Sequence, residues 1–266
     1  MFRVILTFTI LRGQTEPPML HGFVPSRRSS ALMVYPPPIS PLYAPHGDVS
    51  SLYGRCPDAT YQIISDMHDL TRTFVTRWTY GGDMYSPTSS AQLASYDTHM
   101  QQIYTRLLEN EPTEGSVASD WIYECCRLAA LIYCRSIVQA VPLHESANLL
   151  NARRSEADIS NTTLISALHN ALEHTDRRGN WGDLCGVLLW VTLVGGAASW
   201  PSSNSLYGVE HEIEASTAWT RKCFALYAVS SSLSHGFEHS GATVAAQRTM
   251  LQVQQLINLK RGMSPH

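Results

Sequence analysis

The sequence predicts an all-α protein, a single bundle of six to eight helices behind a Pro/Ser-rich mobile N-terminal tail. Three observations support this prediction. Apolar residues recur at helical spacing over most of the chain after residue 58. No segment alternates apolar and polar residues as a strand does, and no fixed-period repeat is present. One central segment, residues 181–200, is apolar enough to form a fully buried helix.

Residues 1–57 are predicted to be a tail or linker without regular structure. Nine of the 14 prolines of the chain lie there, among many serines, and proline cannot continue a helix. A short apolar run between Arg3 and Arg12 imitates a signal peptide. Because the run is short and no small-residue cleavage pattern follows it, an intracellular chain is favoured over a secreted one.

Residues 58–262 are predicted to form one helical domain. Its first helix ends near Gly81 and Gly82, and its second is closed by Pro112. The two helices are defined by the apolar stripes Ile63, Ile64, Met67, Leu70, Phe74 and Trp78, and Leu93, Tyr96, Met100, Ile103, Tyr104 and Leu107.

A third helix is predicted to begin at the capping residue Asp120 and to run to Val141, where Pro142 stops it. The rest of its surface should be buried, because its few charges follow one narrow line. These charges are Glu124, Arg127 and Arg135.

Three further helices complete the predicted bundle, apart from the central one. The first follows Ser160 or Asn161. Their apolar positions are Leu164, Leu168, Ala171 and Leu172; Trp219, Cys223, Leu226, Tyr227 and Leu233; and Val244, Leu251, Val253, Leu256 and Ile257.

The central segment is predicted to be a buried helix of a water-soluble domain. A membrane span needs about 20 mainly apolar residues. Here the apolar run covers only residues 184–194, and the paired glycines Gly195 and Gly196 are expected to end it. A buried helix is therefore favoured over a membrane span.

Charge and cysteine spacing exclude two classes of protein. The net charge is −3, from 19 basic and 22 acidic residues, which does not suit an autonomous nucleic-acid binder. The six cysteines lack the C-x2-C pairs of a binuclear zinc cluster. Buried, reduced thiols are favoured instead.

Catalytic motifs are nearly absent. The chain has no nucleophile elbow, phosphate loop or dinucleotide fingerprint. Asp66 and Asp69 are too sparse to hold magnesium and are expected to lie on a solvated helix face. His235, Glu238 and His239 match H-x-x-E-H, a metalloprotease pattern. No acidic residue follows Glu238 to supply a third ligand, so a capped helix end is favoured over a metal site.

Three blocks in register resemble the C-terminal regulatory domain of fungal zinc-cluster transcription factors. They are YECCRLAALIYC at residues 123–134, WGDLCGVLLWVTLVGGAAS at 181–199 and FEHSGATVAAQRTMLQVQQLI at 237–257. The segment ISALHNALEHTD at 165–176 also looks like a short helix of that family. The resemblance covers roughly residues 58–260.

This resemblance implies an all-α domain that regulates transcription in the nucleus, or otherwise acts in the cytoplasm, without being an enzyme. Its partners would be proteins of the transcription machinery or a family dimer partner, and a small effector could settle among the helices. The tryptophans Trp78, Trp121, Trp190 and Trp219 could line such a pocket, but filling the core is the favoured interpretation. The chain lacks the C-x2-C-x6-C cluster, so no nucleic-acid contact is expected from it. No cofactor, membrane contact, or catalytic, metal-binding or DNA-binding residue is assigned.

Two alternatives remain open. The first is a metal-dependent hydrolase that uses His235, Glu238 and His239, which would carry stoichiometric zinc. The second is a truncated or degenerate paralogue that folds but has no independent activity.

Overall fold

The structure, a computed structural model, describes residues 1–24, 36–80, 90–109, 120–150, 162–175, 181–200 and 211–263. These residues contain nine α-helices, eight of them with seven residues or more, and no strand, which confirms the all-α prediction. The helices are α1 (Phe2–Leu11), α2 (Asp58–Tyr80), α3 (Ser90–Glu109), α4 (Trp121–Gln139), α5 (Leu143–Ala147), α6 (Leu164–Glu173), α7 (Cys185–Ala198), α8 (His211–Glu238) and α9 (Ser240–Met263).

Helix α7 occupies the centre of the bundle. It packs against α1, α4, α5, α6, α8 and α9. Every residue from Gly186 to Ala198 is buried, and the ring of Trp190 lies edge-on to Tyr133 of α4 with 6.0 Å between ring centroids. No helix in the described ranges has both the length and the apolar character needed to cross a membrane.

The prediction of a mobile tail is wrong for the first helix. Leu6, Ile10 and Leu11 are at most 1 % exposed and belong to the main core. Helix α1 packs against α7, α8 and α9. The prolines that suggested a tail begin only at Pro17, so they place no restriction on residues 2–11.

The prediction of a mobile tail is also wrong for residues 36–57, which pack onto the bundle without forming an α-helix. Ile39 is buried, and its carbonyl oxygen lies 2.5 Å from the place that a Cβ atom on Gly186 would occupy. Only a glycine in α7 permits this close approach of two backbones. The other buried apolar residues of the segment are Leu42, Val49 and Leu52.

A buried polar cluster ties α1 to α8 and α9. The side-chain amide of Gln247 donates to the carbonyl of Arg3 at 3.0 Å, to Thr7 Oγ1 at 2.9 Å and to Ser232 Oγ at 2.8 Å. Gln247, Thr7 and Ser232 are fully buried. Since a buried polar group without a partner is costly, removing α1 would leave this cluster unsatisfied.

Two predicted helix starts have different outcomes. The side chain of Asp120 accepts a hydrogen bond from the amide of Tyr123 at 3.0 Å, which confirms the predicted cap of α4. Helix α6 is capped by Thr163, which accepts from the amide of Ser166 at 3.4 Å. Residues 160 and 161, from which that cap was expected, lie outside the described residues.

The prediction that paired glycines end the central helix is wrong. Helix α7 continues through Gly195 and Gly196 to Ala198. The ring of Phe224 lies against Gly195, and the side chain of Leu11 would be 3.1 Å from a Cβ atom on Gly196. The glycines therefore let α8 and α1 approach α7 closely, and the many contacts of the helix offset their low helix propensity.

The line of charges on α4 is itself partly buried. Glu124 is 9 % exposed and Arg127 is 7 % exposed. They form a two-pronged pair, in which Arg127 Nε and Nη2 each donate to Glu124 at 2.8 Å. This pairing satisfies two charges that would otherwise be costly to bury.

Candidate functional site

A cavity of about 550 Å³ opens where the C-terminal ends of α1 and α7 meet α5, α8 and α9. Its volume falls in the range of small-molecule sites. Arg12, Arg221 and Arg261 lie in its lining, and no Asp or Glu is among the described residues that line it. We call it the arginine cavity.

Two of these arginines face the same aromatic ring. The guanidinium carbon of Arg221 lies 5.2 Å from the centroid of the Trp200 ring, and that of Arg12 lies 5.7 Å from it. Both distances are typical of cation–π contacts. Trp200 thus positions two positive charges at one wall of the cavity.

The lining also contains Arg261 and His144. Arg261 Nη2 lies 3.7 Å from Glu145 Oε1, and both side chains are about half exposed. Burial lowers the pKa of His144, and Arg261 lowers it further, although Glu145 opposes this shift. His144 is therefore an uncharged polar group at neutral pH.

Part of the lining is apolar, and we call this part the apolar floor of the arginine cavity. Leu11, Leu143 and Ile257 are buried residues in its lining. Gln254 donates from Nε2 to the carbonyl of Ile10 at 3.0 Å, while its buried Oε1 accepts no hydrogen bond. Arginines beside an apolar surface can bind an anion.

The H-x-x-E-H residues lie at the junction of α8 and α9. His235 is 9 % exposed, and its Nε2 has no hydrogen-bond partner. Glu238 is exposed, and α8 ends there. Within the described part of the chain, no three His, Cys, Asp or Glu side chains are grouped so that they could hold a metal ion. His235, Glu238 and His239 therefore do not form a metal site in this structure.

Acidification should destabilise the fold through His235. Burial and then the neighbouring His239 lower its pKa from the ordinary value of 6.5, against the opposing effect of Glu238. The unfolded chain therefore takes up this proton at a higher pH than the folded chain. The contribution of uncharged His235 to the free energy of unfolding is complete above a pH of about 6.5. It is lost as the pH falls toward the pKa of His235 in the folded chain.

The measurement is Tm as a function of pH, from about pH 7.5 to about pH 5, for His235→Gln, wild type and the exposed control His21→Gln. As the pH is lowered, we expect the Tm of His235→Gln to fall less than the Tm of wild type. The Tm of His21→Gln should fall as much as the Tm of wild type. His144 titrates in the same direction in all three proteins, so some pH dependence should remain in each. Equal slopes for wild type and His235→Gln would contradict the assignment.

The sequence predicted that Asp66 and Asp69 lie on a solvated face of α2, and this prediction is wrong for Asp66. Asp66 is 7 % exposed and accepts from Arg106 Nε at 3.0 Å and from Nη2 at 2.7 Å. Burial acts to raise the pKa of Asp69, but hydrogen bonds from His99 and Arg72 outweigh it, so this pKa is lowered. Both carboxylates thus anchor neighbouring side chains.

The tryptophans and cysteines largely fill space between helices. Trp190 is fully buried, Trp121 stacks on His174 with 4.4 Å between ring centroids, and Trp219 is 64 % exposed. All six cysteines are free thiols, four of them buried. Burial raises the pKa of the most enclosed thiols, which keeps them protonated and unreactive. These thiols are Cys125, Cys126 and Cys134.

Comparison with known proteins does not assign a family. The chain matches no protein-family model, and neither curated proteins nor solved structures match it. Function must therefore be argued from the arginine cavity and the surface of the molecule.

Sequence analysis missed every charged residue of the arginine cavity. Arg12 was treated as the flank of an apolar run, and Arg221 and Arg261 belong to no motif. The one available signal was that Arg12 directly follows an apolar stretch, and that Trp200 follows the small residues at the end of another. The cavity is assembled from five helices, so no local spacing could have revealed it.

Proposed function

We propose that this chain is a regulatory domain of the fungal zinc-cluster transcription-factor type, which acts in the nucleus through protein contacts and without chemistry. The chain has no C-x2-C-x6-C cluster. In this proposal these residues therefore make no contact with DNA themselves. The sequence blocks that carry the resemblance lie on α4, α7 and the junction of α8 with α9, all of them parts of one helical core.

The observation that supports a contact function is an exposed apolar stripe on α8. Trp219 is 64 % exposed, Leu226 is 65 % exposed and Phe237 is 75 % exposed. These positions are seven and eleven residues apart, so they fall within about 20° of one line along the helix. The stripe extends for about 27 Å.

Large exposed apolar side chains in one line are unusual on a surface that has no partner. The exposed polar residues Lys222, Ser230 and Ser234 lie between them, so a partner would contact the three apolar side chains as separate anchors along one line. Tryptophan and phenylalanine are also among the residues enriched in protein interfaces. A straight stripe of this length fits the apolar face of an amphipathic helix from a partner protein.

The test is a reporter assay with residues 1–266 fused to an unrelated DNA-binding module. The whole chain is used because α1 is part of the core. The triple variant Trp219→Ala, Leu226→Ala, Phe237→Ala should lose most of the reporter response, since truncating a central aromatic contact costs about 2 kcal/mol or more of binding free energy.

The matched control removes three apolar side chains that are equally exposed but lie elsewhere. Met19 is 78 % exposed, Tyr53 is 67 % exposed and Leu108 is 58 % exposed. Their combined replacement by alanine should leave the reporter response unchanged. The proposal fails if the wild-type fusion has no effect on the reporter under any growth condition, or if both triple variants behave alike while remaining folded.

A further inference from the structure

The arginine cavity holds positive charge that the described protein does not neutralise. The chain as a whole has a net charge of −3, yet the lining carries three arginines. Neither Arg12 nor Arg221 forms an ion pair with a described residue, and Arg261 has only the long contact with Glu145. Two guanidinium groups beside one indole ring repel each other, and a bound anion would offset this repulsion by attracting both.

Arg221 also lacks a hydrogen bond where it is most enclosed. Its Nε atom is buried and has no partner. A guanidinium group offers five N–H donors in a fixed plane, which matches two oxygens of a carboxylate or phosphate. The buried Nε lies out of reach of a ligand, so the terminal Nη groups of Arg221 would bind an anion in the cavity, and its negative charge would offset the repulsion from Arg12.

The remaining surface restricts the kind of anion. Leu11, Leu143 and Ile257 form an apolar floor, which inorganic anions cannot use. The volume of about 550 Å³ leaves room for an organic molecule rather than a single ion.

We propose that the arginine cavity binds a small organic anion that carries two or more carboxylate or phosphate groups and an apolar portion. Arg12 and Arg221 bind one acidic group beside Trp200, Arg261 binds another, and the apolar portion contacts the apolar floor. This site stands independently of the contact stripe on α8 and of any role in transcription.

The binding test uses benzene-1,3,5-tricarboxylate, citrate and inorganic pyrophosphate as probes at constant ionic strength, with calorimetric titration of the full chain. All three should bind, and the benzene tricarboxylate should bind most tightly because only its ring can cover the apolar floor. Acetate at equal ionic strength should not bind detectably.

Matched variants distinguish a built site from general charge attraction. Arg221→Gln should raise the Kd for the tricarboxylate by about tenfold or more, because charge-assisted hydrogen bonds are the stronger kind. Lys222→Gln removes the same charge from the adjacent exposed position of α8 and should leave Kd unchanged. Arg221→Lys keeps the charge but not the planar fork, and should recover only part of the affinity.

Circular dichroism of each variant checks that it is folded. If Arg221→Gln does not fold, Arg12→Gln serves in its place with the same expected loss. The proposal is overturned if no probe binds the folded wild-type chain, or if Arg221→Gln and Lys222→Gln weaken binding equally. Neither result would affect the proposal for the α8 stripe, which is tested in the reporter assay.

Discussion

A chain lacking residues 1–57 is expected not to fold. Among its described residues the removed part contains eight buried aliphatic side chains, four of them in the first 24 residues and four between residues 39 and 52. Burying such a side chain contributes about 1.5–3 kcal/mol. Their sum is comparable to, or larger than, the whole stability of a typical domain, about 5–15 kcal/mol.

The loss would not be limited to apolar contacts. Without α1, the buried amide of Gln247 loses two of its three acceptors. Without residues 16–20, Arg248 loses its contacts with Glu16 Oε1 at 3.1 Å and with the carbonyl of Leu20 at 2.8 Å. The face of α7 that α1 covers would be exposed to water.

Point variants test the same conclusion in a chain of full length. Ile10 is fully buried, and Ile10→Ala should lower the free energy of unfolding by about 2–5 kcal/mol. Met19 is 78 % exposed, and Met19→Ala should change it by no more than about 0.5 kcal/mol. Urea unfolding followed by circular dichroism measures both.

The conclusion that residues 1–57 are part of the core would be refuted if a chain without them folded stably. Such a protein, residues 58–266, would unfold cooperatively at a Tm near that of the full chain. Equal effects of Ile10→Ala and Met19→Ala would also contradict it.

Helical periodicity was sufficient to predict most of the bundle. The apolar stripes of α2 and α3 and the cap at Asp120 are properties of neighbouring residues, so the sequence displays them directly. The N-terminal segment was misjudged because composition was averaged over 57 residues. A helix without prolines was thereby merged with a proline-rich segment that follows it.

Contacts between distant elements were the part that sequence could not supply. A pair of glycines is a stop signal in an isolated helix. In the folded protein α8 and α1 approach Gly195 and Gly196 so closely that no side chain fits there. The arginine cavity has the same origin. Arg12 and Arg221 are more than 200 positions apart in the sequence and meet only at Trp200.

Gly195 lies in the interior of the bundle, and we expect Gly195→Ala to lower the free energy of unfolding. An added Cβ atom would contact Cε1 of the Phe224 ring and lie 2.7 Å from Cδ1 and Cζ, whereas ordinary Cβ contacts are 3.4–4 Å. Phe224 is fully buried, so its ring cannot move without displacing other core residues. Overpacking of this kind costs about 1–3 kcal/mol, which exceeds the gain of about 1 kcal/mol in helix propensity.

Gly241→Ala is the matched control, because Gly241 also lies in a helix but would have no atom within 4 Å of an added Cβ. It should leave the free energy of unfolding unchanged or raise it by up to about 1 kcal/mol. In the double variant Gly195→Ala, Phe224→Leu, the smaller side chain removes the clash, so the loss should be less than the sum of the two single losses. Strict additivity, or a stabilising effect of Gly195→Ala alone, would show that α8 does not pack against α7 through this glycine.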